Sequence, residues 1–417
     1  MTKSTGSRST GSQSGSSRSK TTKSTATKSR TSQQADLTRI FTVVVILIFL
    51  ILVGVFLATG KDPLGLFTGE PTPTAVAVVP TPTVAAGRSD WWEVYFTDPN
   101  TINNPDDLTG SIPEKLLAYI NSAQKSIHIA AFEFDLTPVA EALIAAHRRG
   151  VDVRWVTDDE HGIQADEEKG HGQFAMLKAA GIEVRDDGRS ALMHNKFWIF
   201  DGQIVWTGST NVTKNCNFRN NNNVIVLKSP QVAAIYEREF DEMWAGQFGP
   251  RSPSTADQQS VVIEGTPIQI LFASEDKAIS HLIPLVEAAQ KDIRIMAFSF
   301  THDALGKAVL ARAQAGVDVQ SIFETRGSET AYSELTILFC AGYPARQDGN
   351  PGTFHHKVLV IDDEIVVTGS LNFSDNADTG NDENVVIITN KEIATLYLQE
   401  FERRWAEATV PTKITCK

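Results

Sequence analysis

An internal duplication constrains the fold of this 417-residue chain more than any other feature of its sequence. Residues 126–157 repeat as residues 292–323, with Gly150 matching Gly316. Each copy reads as an apolar strand, a helix that ends at the glycine, and a second strand that opens with Val-Asp-Val. Two copies of a β-α-β unit predict a duplicated α/β/α sandwich whose two halves pack about a pseudo-twofold axis.

The repeat also sets the predicted domain limits. We expect one α/β domain over residues 90–250 and a second over residues 261–417, since each contains one copy of the pattern. The polar segment 247–260 is rich in Pro and Ser and is therefore the predicted connection between them. Both halves lie in one chain, so we expect a monomer that is an internal pseudo-dimer, and a site on the axis would draw the same residue types from each half.

The residues before the first domain predict that the protein is anchored in a membrane. Residues 1–39 carry eight Lys or Arg and 20 Ser or Thr, which predicts a disordered, basic, cytoplasmic tail. Residues 40–60 are uncharged and mostly apolar, which favours a transmembrane helix over a signal-peptide core or a buried helix. The Pro-Thr pairs of residues 61–89 are typical of a stalk. The expected localisation is a single-pass cell-membrane protein with its N-terminus in the cytoplasm and its catalytic domains outside.

The net charge of the chain argues against one class of binding partner. The chain has a formal net charge of −12, and its basic tail means that the domains are more acidic still. A broad nucleic-acid surface needs clustered Lys and Arg, so this composition argues against one. A small basic pocket remains compatible with it.

Three cysteines, Cys216, Cys340 and Cys416, cannot all pair within one chain. One disulfide between Cys340 and Cys416 and three free thiols are both compatible with the sequence.

Two short motifs at matching positions of the halves carry chemically active side chains. They read MHNKFWIFDGQIVWTGSTN and FHHKVLVIDDEIVVTGSLN, and six residue types recur in them at the same spacing. These are His194, Lys196, Asp201, Gly208, Ser209 and Asn211 in the first half, and His355, Lys357, Asp362, Gly369, Ser370 and Asn372 in the second. A six-residue match that occurs twice at duplicated positions excludes coincidence.

Strand periodicity predicts where these side chains point. The His and Lys of each motif are two residues apart and share one face of a strand, whereas the residue between them, Asn195 or His356, points away. Each strand turns at an Asp and returns to Gly-Ser-x-Asn, so each hairpin brings an imidazole, an ammonium, a hydroxyl and an amide to one edge. Two such edges suit a phosphodiester, with donors for its oxygens, one imidazole to attack phosphorus and another to protonate the leaving oxygen. A metal site built from His355, His356 and their neighbouring acids is disfavoured, because adjacent strand residues point to opposite faces.

The paired H-x-K-x4-D-x6-G-S-x-N motifs resemble those of the phospholipase D superfamily, and the similarity extends over essentially all of residues 90–417. The resemblance implies a covalent phosphohistidine intermediate and neither metal nor cofactor. It implies that His194 is the nucleophile and His355 the general acid and then base. It further implies that Lys196, Lys357, Asn211 and Asn372 hold the phosphate, that Ser209 and Ser370 support substrate binding, and that Asp201, Asp362, Gly208 and Gly369 are structural.

One position differs between the halves. Eleven residues after Asn372 stands Glu383, where the family pattern expects a carboxylate that orients the histidine of its own half. The equivalent residue of the first half is Asn222, a candidate substrate-binding amide. On this reasoning Glu383 favours a protonated His355, and Asn222 leaves His194 neutral and nucleophilic. A similar asymmetry occurs in the tyrosyl-DNA phosphodiesterase branch of the superfamily.

The resemblance leaves the substrate open among three classes. The first hypothesis is a phospholipase D-type phosphodiesterase that acts on phospholipid head groups. The alternatives are a nuclease-like phosphodiesterase on DNA or RNA and a phosphatidyltransferase similar to cardiolipin synthase. A catalytically inactive binding module is disfavoured because both sets of His, Lys and Asn are present. The histidines outside the motifs are expected to be surface or packing residues: His128, His147, His161, His171, His281 and His302.

Overall fold

The computed structural model describes residues 85–255 and 258–416. The predicted tail at 1–39, the predicted transmembrane helix at 40–60 and most of the predicted stalk lie outside these residues. Across the described residues, no helix combines the length and apolar character needed to cross a membrane. One part of the stalk prediction is wrong, because Ala85–Arg88 forms a strand that pairs with the next strand of the chain.

The first half contains eight strands and five α-helices. The strands are β1 Ala85–Arg88, β2 Trp92–Phe96, β3 Ser126–Ala131, β4 Asp152–Thr157, β5 Glu183–Asp186, β6 Lys196–Phe200, β7 Ile204–Gly208 and β8 Asn223–Lys228. The helices are α1 Ile112–Ser122, α2 Thr137–Arg148, α3 Gln173–Ala179, α4 Lys214–Phe218 and α5 Pro230–Trp244. A π-helical turn, Asp159–Gln164, follows β4.

The second half repeats this order. Its strands are β9 Ser260–Ile263, β10 Thr266–Ala273, β11 Asp292–Ala297, β12 Asp318–Phe323, β13 Ala345–Gln347, β14 Lys357–Ile361, β15 Ile365–Gly369 and β16 Glu383–Thr389. Its helices are α6 Ala278–Ala288, α7 Asp303–Gln314, α8 Glu334–Cys340, α9 Asp375–Thr379 and α10 Lys391–Glu407.

Both halves build the same eight-stranded mixed sheet. The strand orders are β1-β2-β8-β7-β6-β3-β4-β5 and, for the second half, β9-β10-β16-β15-β14-β11-β12-β13. The β-α-β units give the parallel pairs β3–β4 and β11–β12, and the motif hairpins give the antiparallel pairs β6–β7 and β14–β15. Every residue of β6 and β14 is buried, because both faces of each sheet are covered.

Three apolar cores hold the layers together. One core lies on the α1–α3 side of the first sheet, and a second lies on the α6–α8 side of the other sheet. The third joins the inner faces of both sheets with α5 and α10, and it includes Tyr236 and Tyr397 from those helices. The predicted duplicated α/β architecture is confirmed, and the shared core packs the motif strands of the two halves against each other.

The structure shows which of the three cysteines are paired. Cys340 and Cys416 form a disulfide across 76 residues, which ties the C-terminal segment to the end of α8. Cys216 is a buried free thiol in α4.

Candidate functional site

The two motif histidines and the two motif lysines converge on the seam between the halves. Lys196 and Lys357 are the first residues of β6 and β14, and each histidine comes two residues earlier. Each lysine Nζ donates to the carbonyl of its own histidine, at 2.7 Å for Lys196 to His194 and 3.0 Å for Lys357 to His355. All four side chains are buried. Each lysine is therefore held at the start of its strand, and its bond to the histidine carbonyl ties the residues just before the strand to it.

The polar partners of the histidines come from the opposite half. His194 Nδ1 lies 2.7 Å from a carboxylate oxygen of Glu383, and His355 Nδ1 lies 2.9 Å from the amide oxygen of Asn222. The prediction that each partner serves the histidine of its own half is therefore wrong. The carboxylate belongs to His194 and the amide to His355.

Backbone pairing across the seam explains this exchange of partners. The His194 N–H donates to the Asp382 carbonyl, one residue before Glu383, at 2.9 Å. In the same way, the His355 N–H donates to the carbonyl of Asn221 at 2.9 Å, one residue before Asn222. Each histidine is thus anchored to the segment that begins the last strand of the other half, which brings the side chains of the crossed pairs together.

Asn222 and the two motif serines lie behind the histidines. Ser209 Oγ donates to Asn222 Oδ1 at 2.8 Å, and Ser370 takes the equivalent position beside the Glu383 carboxylate and helps to lower its pKa. Asn222, Ser209 and Ser370 are all fully buried. The substrate contact predicted for these three residues is therefore replaced by a contact that supports a histidine partner.

The hydrogen bonds determine which imidazole nitrogen is exposed to the site. An amide oxygen and a carboxylate can only accept, so both histidines carry a proton on Nδ1. Asn222 is oriented with its oxygen toward His355 because its Nδ2 donates to the Cys216 carbonyl at 2.8 Å. Both rings are also held edge-on by phenylalanines that match in the duplication, with Phe132 against His194 and Phe298 against His355. Nε2 of each histidine is thus available for chemistry.

Burial and mutual charge perturb the pKa values of the two motif histidines, the two motif lysines and Glu383. Burial, followed by Lys196 and Lys357, lowers the pKa of both His194 and His355. Burial lowers the pKa of Lys196 to about 8, against the opposing effect of Glu383. Burial and the neighbouring Lys196 lower the pKa of Lys357 as well, and burial raises that of Glu383. An anionic ligand reverses these penalties, since it stabilises the protonated forms of both imidazoles and both amines.

The motif asparagines each keep an unused acceptor. Asn211 Nδ2 donates to Glu133 at 2.8 Å, whereas the Oδ1 atoms of Asn211 and Asn372 are buried and have no hydrogen-bond partner. Asn211 lines the same cavity as His194 and His355.

The motif aspartates and glycines shape the backbone. The Asp201 carboxylate accepts from the backbone N–H groups of residues 124–126, and that of Asp362 does the same for residues 290–292. At Gly208 and Gly369 an added Cβ would lie 2.3 Å and 2.1 Å from a backbone oxygen of the neighbouring strand. The two aspartates fix the segments that lead into β3 and β11, as predicted from their turn positions.

The histidines face a half-open cavity of about 520 Å³. Most of its lining comes from the first half and includes three acids and two further histidines: Glu133, Asp135, Glu168, His161 and His171. His161 is exposed and packs against Phe132, and His171 is partly exposed, which agrees with surface or packing residues; the sequence did not indicate that both line this cavity. His161 lies in the π-helical turn and His171 follows it. The strand periodicity of the sequence does not predict that this turn borders the cavity.

A larger cavity of about 860 Å³ contains none of the motif residues. It is lined in part by Arg189, Phe248 and Arg251. Among the described residues, one acidic group has metal-ligand spacing, formed by Asp158, Asp159 and Asp187. Asp158 already accepts three backbone N–H bonds, including that of Met193 just before His194, so it acts as a structural brace.

Comparison with known proteins agrees with this geometry. The family model described as "Cardiolipin synthase, PLD-like domain" matches residues 116–244 and 282–405, once in each half. Since these matches cover more than half of the sequence, the chain belongs to the phospholipase D superfamily.

Curated relatives match over shorter stretches. The mitochondrial cardiolipin hydrolase of Xenopus tropicalis is 37% identical over 144 residues, which is 34% of this chain and 66% of that protein. A phospholipase D of Rickettsia conorii is 38% identical over 122 residues, which is 29% of this chain and 60% of that protein. The chain thus spans less than two thirds of the length of these relatives.

Among solved structures, the phosphatidylserine synthase of Haemophilus influenzae shares the fold. Its TM-score is 0.57 at 14% sequence identity, and the match covers 74% of this chain and 88% of the synthase. The similarity covers both halves, which the shorter matches to the curated relatives do not.

The predicted localisation at the cell membrane, with the catalytic domains outside, is wrong. Several of the relatives that match, including the one from Xenopus tropicalis, carry the name mitochondrial cardiolipin hydrolase. The prediction depended on the apolar residues 40–60, which lie outside the described part of the chain.

Proposed function

We propose that this chain is a phosphodiesterase of phospholipase D type that hydrolyses the head-group phosphodiester of phospholipids. One observation carries the proposal: two imidazoles, each held through Nδ1, present Nε2 to one cavity with a buried lysine beside each. Two free Nε2 atoms supply a nucleophile and a proton donor for one displacement at phosphorus. The names of the curated relatives support a phospholipid substrate.

His194 is the proposed nucleophile, for a reason that differs from the one drawn from the sequence. When Nε2 bonds to phosphorus while Nδ1 keeps its proton, the ring becomes a cation. The Glu383 carboxylate, 2.7 Å from Nδ1, stabilises that cation, whereas the neutral amide of Asn222 gives His355 no such charge. The crossed pairing therefore supports the same assignment of roles.

Hydrolysis proceeds in two displacements at phosphorus. His194 Nε2 attacks phosphorus, the bond from phosphorus to the head-group oxygen breaks, and protonated His355 gives its Nε2 proton to that oxygen. In the second step His355 takes a proton from water, whose oxygen attacks phosphorus and releases His194. Lys196 and Lys357 donate to the phosphate oxygens, and the unused Oδ1 acceptors of Asn211 and Asn372 accept from the attacking water. The products are phosphatidic acid and the free alcohol.

The charge of the cavity supports a lipid over a nucleic acid. Glu133, Asp135 and Glu168 line its first-half side, so a long polyanion would bring further phosphates against carboxylates. We also propose that the monomer is the active unit, since one chain supplies both histidines and both partners.

A side-by-side turnover assay tests the proposal. The purified full chain is incubated with mixed phospholipid vesicles or single-stranded DNA, with chelator present, and His194→Ala serves as the blank. The expected result is head-group release that the substitution abolishes. DNA cleavage abolished by His194→Ala would instead establish a nuclease, and transfer to added glycerol in place of hydrolysis would establish a phosphatidyltransferase. No turnover of any of these substrates would refute the proposal.

A further inference from the structure

His356, the residue between the second-half His and Lys, is buried in the seam and unused by the proposed chemistry. Its Nε2 lies 3.2 Å from the carboxylate of Glu400, which Arg404 also contacts at 2.8 Å. Arg404 and then the imidazole hold the pKa of Glu400 far below its usual value, against burial, so this carboxylate is ionised and accepts the Nε2 proton. His356 is thereby left with an unprotonated Nδ1, which can only accept.

The acceptor at Nδ1 dictates the orientation of one amide. Asn223 Nδ2 lies 3.1 Å from His356 Nδ1, so the NH2 group of Asn223 faces the ring. The amide oxygen faces the other way, where it accepts from the hydroxyls of Thr368 at 2.7 Å and Tyr397 at 3.3 Å. Asn223, His356 and Thr368 are buried almost completely, so no solvent replaces a lost partner.

That orientation is passed on to the reacting histidine. Ser209 Oγ receives the backbone N–H of Asn223 at 3.1 Å and its Nδ2 at 3.4 Å. With two donors against it, the serine directs its single O–H to Asn222 Oδ1. The same oxygen accepts the Nδ1 proton of His355, and the Asn222 amide is thus held in the one orientation that fixes this tautomer.

In the first half, Asn195 supplies the acceptor that His356 supplies in the second. Asn384, which matches Asn223, donates to the amide oxygen of Asn195 at 2.9 Å and to Ser370 at 3.4 Å. Its own oxygen accepts from Thr207 and Tyr236, the counterparts of Thr368 and Tyr397. The side-chain oxygen of Asn195 in one half and Nδ1 of His356 in the other are therefore both acceptors for the amide of an asparagine. The feature common to both is an acceptor, not a particular ring or shape.

We propose that His356 is a positioning residue for the reaction proposed above: its Nδ1 fixes the amide of Asn223 and, through Ser209 and Asn222, holds His355 in the tautomer that presents Nε2 to the substrate. If the Asn223 side-chain amide rotated by 180°, its oxygen would attract the Ser209 hydroxyl, and only the bond to the Cys216 carbonyl would be left to hold the Asn222 amide. His355 would then populate the wrong tautomer, with its Nε2 already protonated in the neutral ring.

Two substitutions at this position separate the acceptor from the bulk of the side chain. His356→Asn supplies the carbonyl oxygen that Asn195 uses in the other half, whereas His356→Leu supplies none. Phe96 and Phe354 pack edge-on against the imidazole, so an apolar leucine keeps a compatible surrounding. We expect kcat on the chromogenic diester bis(p-nitrophenyl) phosphate to fall on the order of 10- to 100-fold in His356→Leu, as for other residues that orient a reactive histidine. KM should stay within about 2-fold, and His356→Asn should recover most of kcat.

A second pair of variants acts on the opposite end of the same amide. Thr368→Val removes the hydroxyl that donates to Asn223 Oδ1 and keeps the shape of the side chain, and Thr368→Ser restores the donor. We expect the valine to lower kcat and the serine to restore it. Ile293→Val is a buried control, since Ile293 lies in the core on the α6–α8 side of the sheet and makes no hydrogen bond in either path to a reacting histidine.

The tautomer itself gives a readout that does not depend on turnover. In the full chain labelled with 15N-histidine, His355 should show a protonated Nδ1. This signal should move toward the Nε2-protonated form in His356→Leu and Thr368→Val, and not in His356→Asn or Thr368→Ser. A leucine variant that keeps more than half of kcat and the Nδ1 signal would overturn the proposal. Equal loss in the asparagine and leucine variants would also overturn it, because the acceptor would then be irrelevant. If the wild-type chain turns over no diester, the proposed function fails, and the 15N signals alone still decide the positioning role.

Discussion

Replacing Glu383 with glutamine removes one charge from the site and little else. The side chain keeps its length, and its amide oxygen can still accept the His194 Nδ1 proton that now lies 2.7 Å from the carboxylate. The variant therefore converts the His194 pair into the kind of pair that His355 already has with Asn222. Any loss of rate measures the charge and not the orientation of the ring.

The expected size of the loss follows from burial and distance. The Glu383 carboxylate is fully buried, so solvent screens it little. Two unit charges about 4 Å apart interact by about 4 kcal/mol at an effective dielectric constant near 20. Lys196 shares this carboxylate and takes part of its effect, so we expect a loss of about 2.7 to 4 kcal/mol, which is about 100- to 1000-fold in kcat.

Rapid-quench kinetics on bis(p-nitrophenyl) phosphate measure the effect where it should occur. The first nitrophenol, released when His194 is phosphorylated, should slow by the full factor, while KM changes little. Glu275→Gln is a control for a buried glutamate-to-glutamine change, because Glu275 makes no hydrogen bond to either histidine. A Glu383→Gln chain that keeps more than one fifth of the wild-type burst rate would refute the charge argument and, with it, the reason for placing the nucleophile at His194.

Three further predictions concern stability. Asp362→Ala removes three backbone N–H contacts and should cost about 2 to 4 kcal/mol in urea unfolding while kcat of the folded chain stays unchanged. Glu239 and Glu275 are neighbouring carboxyl groups and burial raises the pKa of both, so the folded chain keeps a proton that the unfolded chain loses above its ordinary pKa. Stability should therefore fall as pH rises from about 5 to 8, by at most about 1.4 kcal/mol per pH unit for one proton, and Glu275→Gln should flatten this slope in thermal melts. Cys416→Ser should lower the free energy of unfolding by up to about 4.5 kcal/mol, the chain-entropy value for the 76-residue separation from Cys340, and a reductant should do the same to the wild type.

The sequence was sufficient for everything that depends on local periodicity. The β-α-β units, the motif hairpins and the turn aspartates all follow from patterns of two or about four residues, and the structure has them in place. The shared direction of His and Lys, with Asn195 and His356 turned to the other side, depends on the same alternation. Duplication then implied a seam with matching edges, since two copies of one amphipathic pattern bury their apolar faces against each other.

Contacts across the seam could not be predicted in this way. Glu383 stands 28 residues from His355 along the chain and 189 from His194, yet the backbone bond from His194 to Asp382 decides which imidazole it reaches. His161 reaches the cavity because a π-helical turn replaces regular structure after β4. The edge strand Ala85–Arg88 forms in a segment whose composition favours extended chain, because a neighbouring strand offers a free edge. In each case a tertiary contact selects among conformations that local sequence allows.

The partners that the two histidines take from opposite halves distinguish two unequal copies in one chain from two identical subunits. Around an exact twofold axis both histidines would have the same partner, either two carboxylates or two amides. A fused pair is free of that restriction, and here Glu383 and Asn222 have become different. Because each partner acts on the other copy, a substitution that specialises one half changes the chemistry of its neighbour. Neither copy can therefore be exchanged for its equivalent from a relative without resetting the balance of acidity between the two imidazoles.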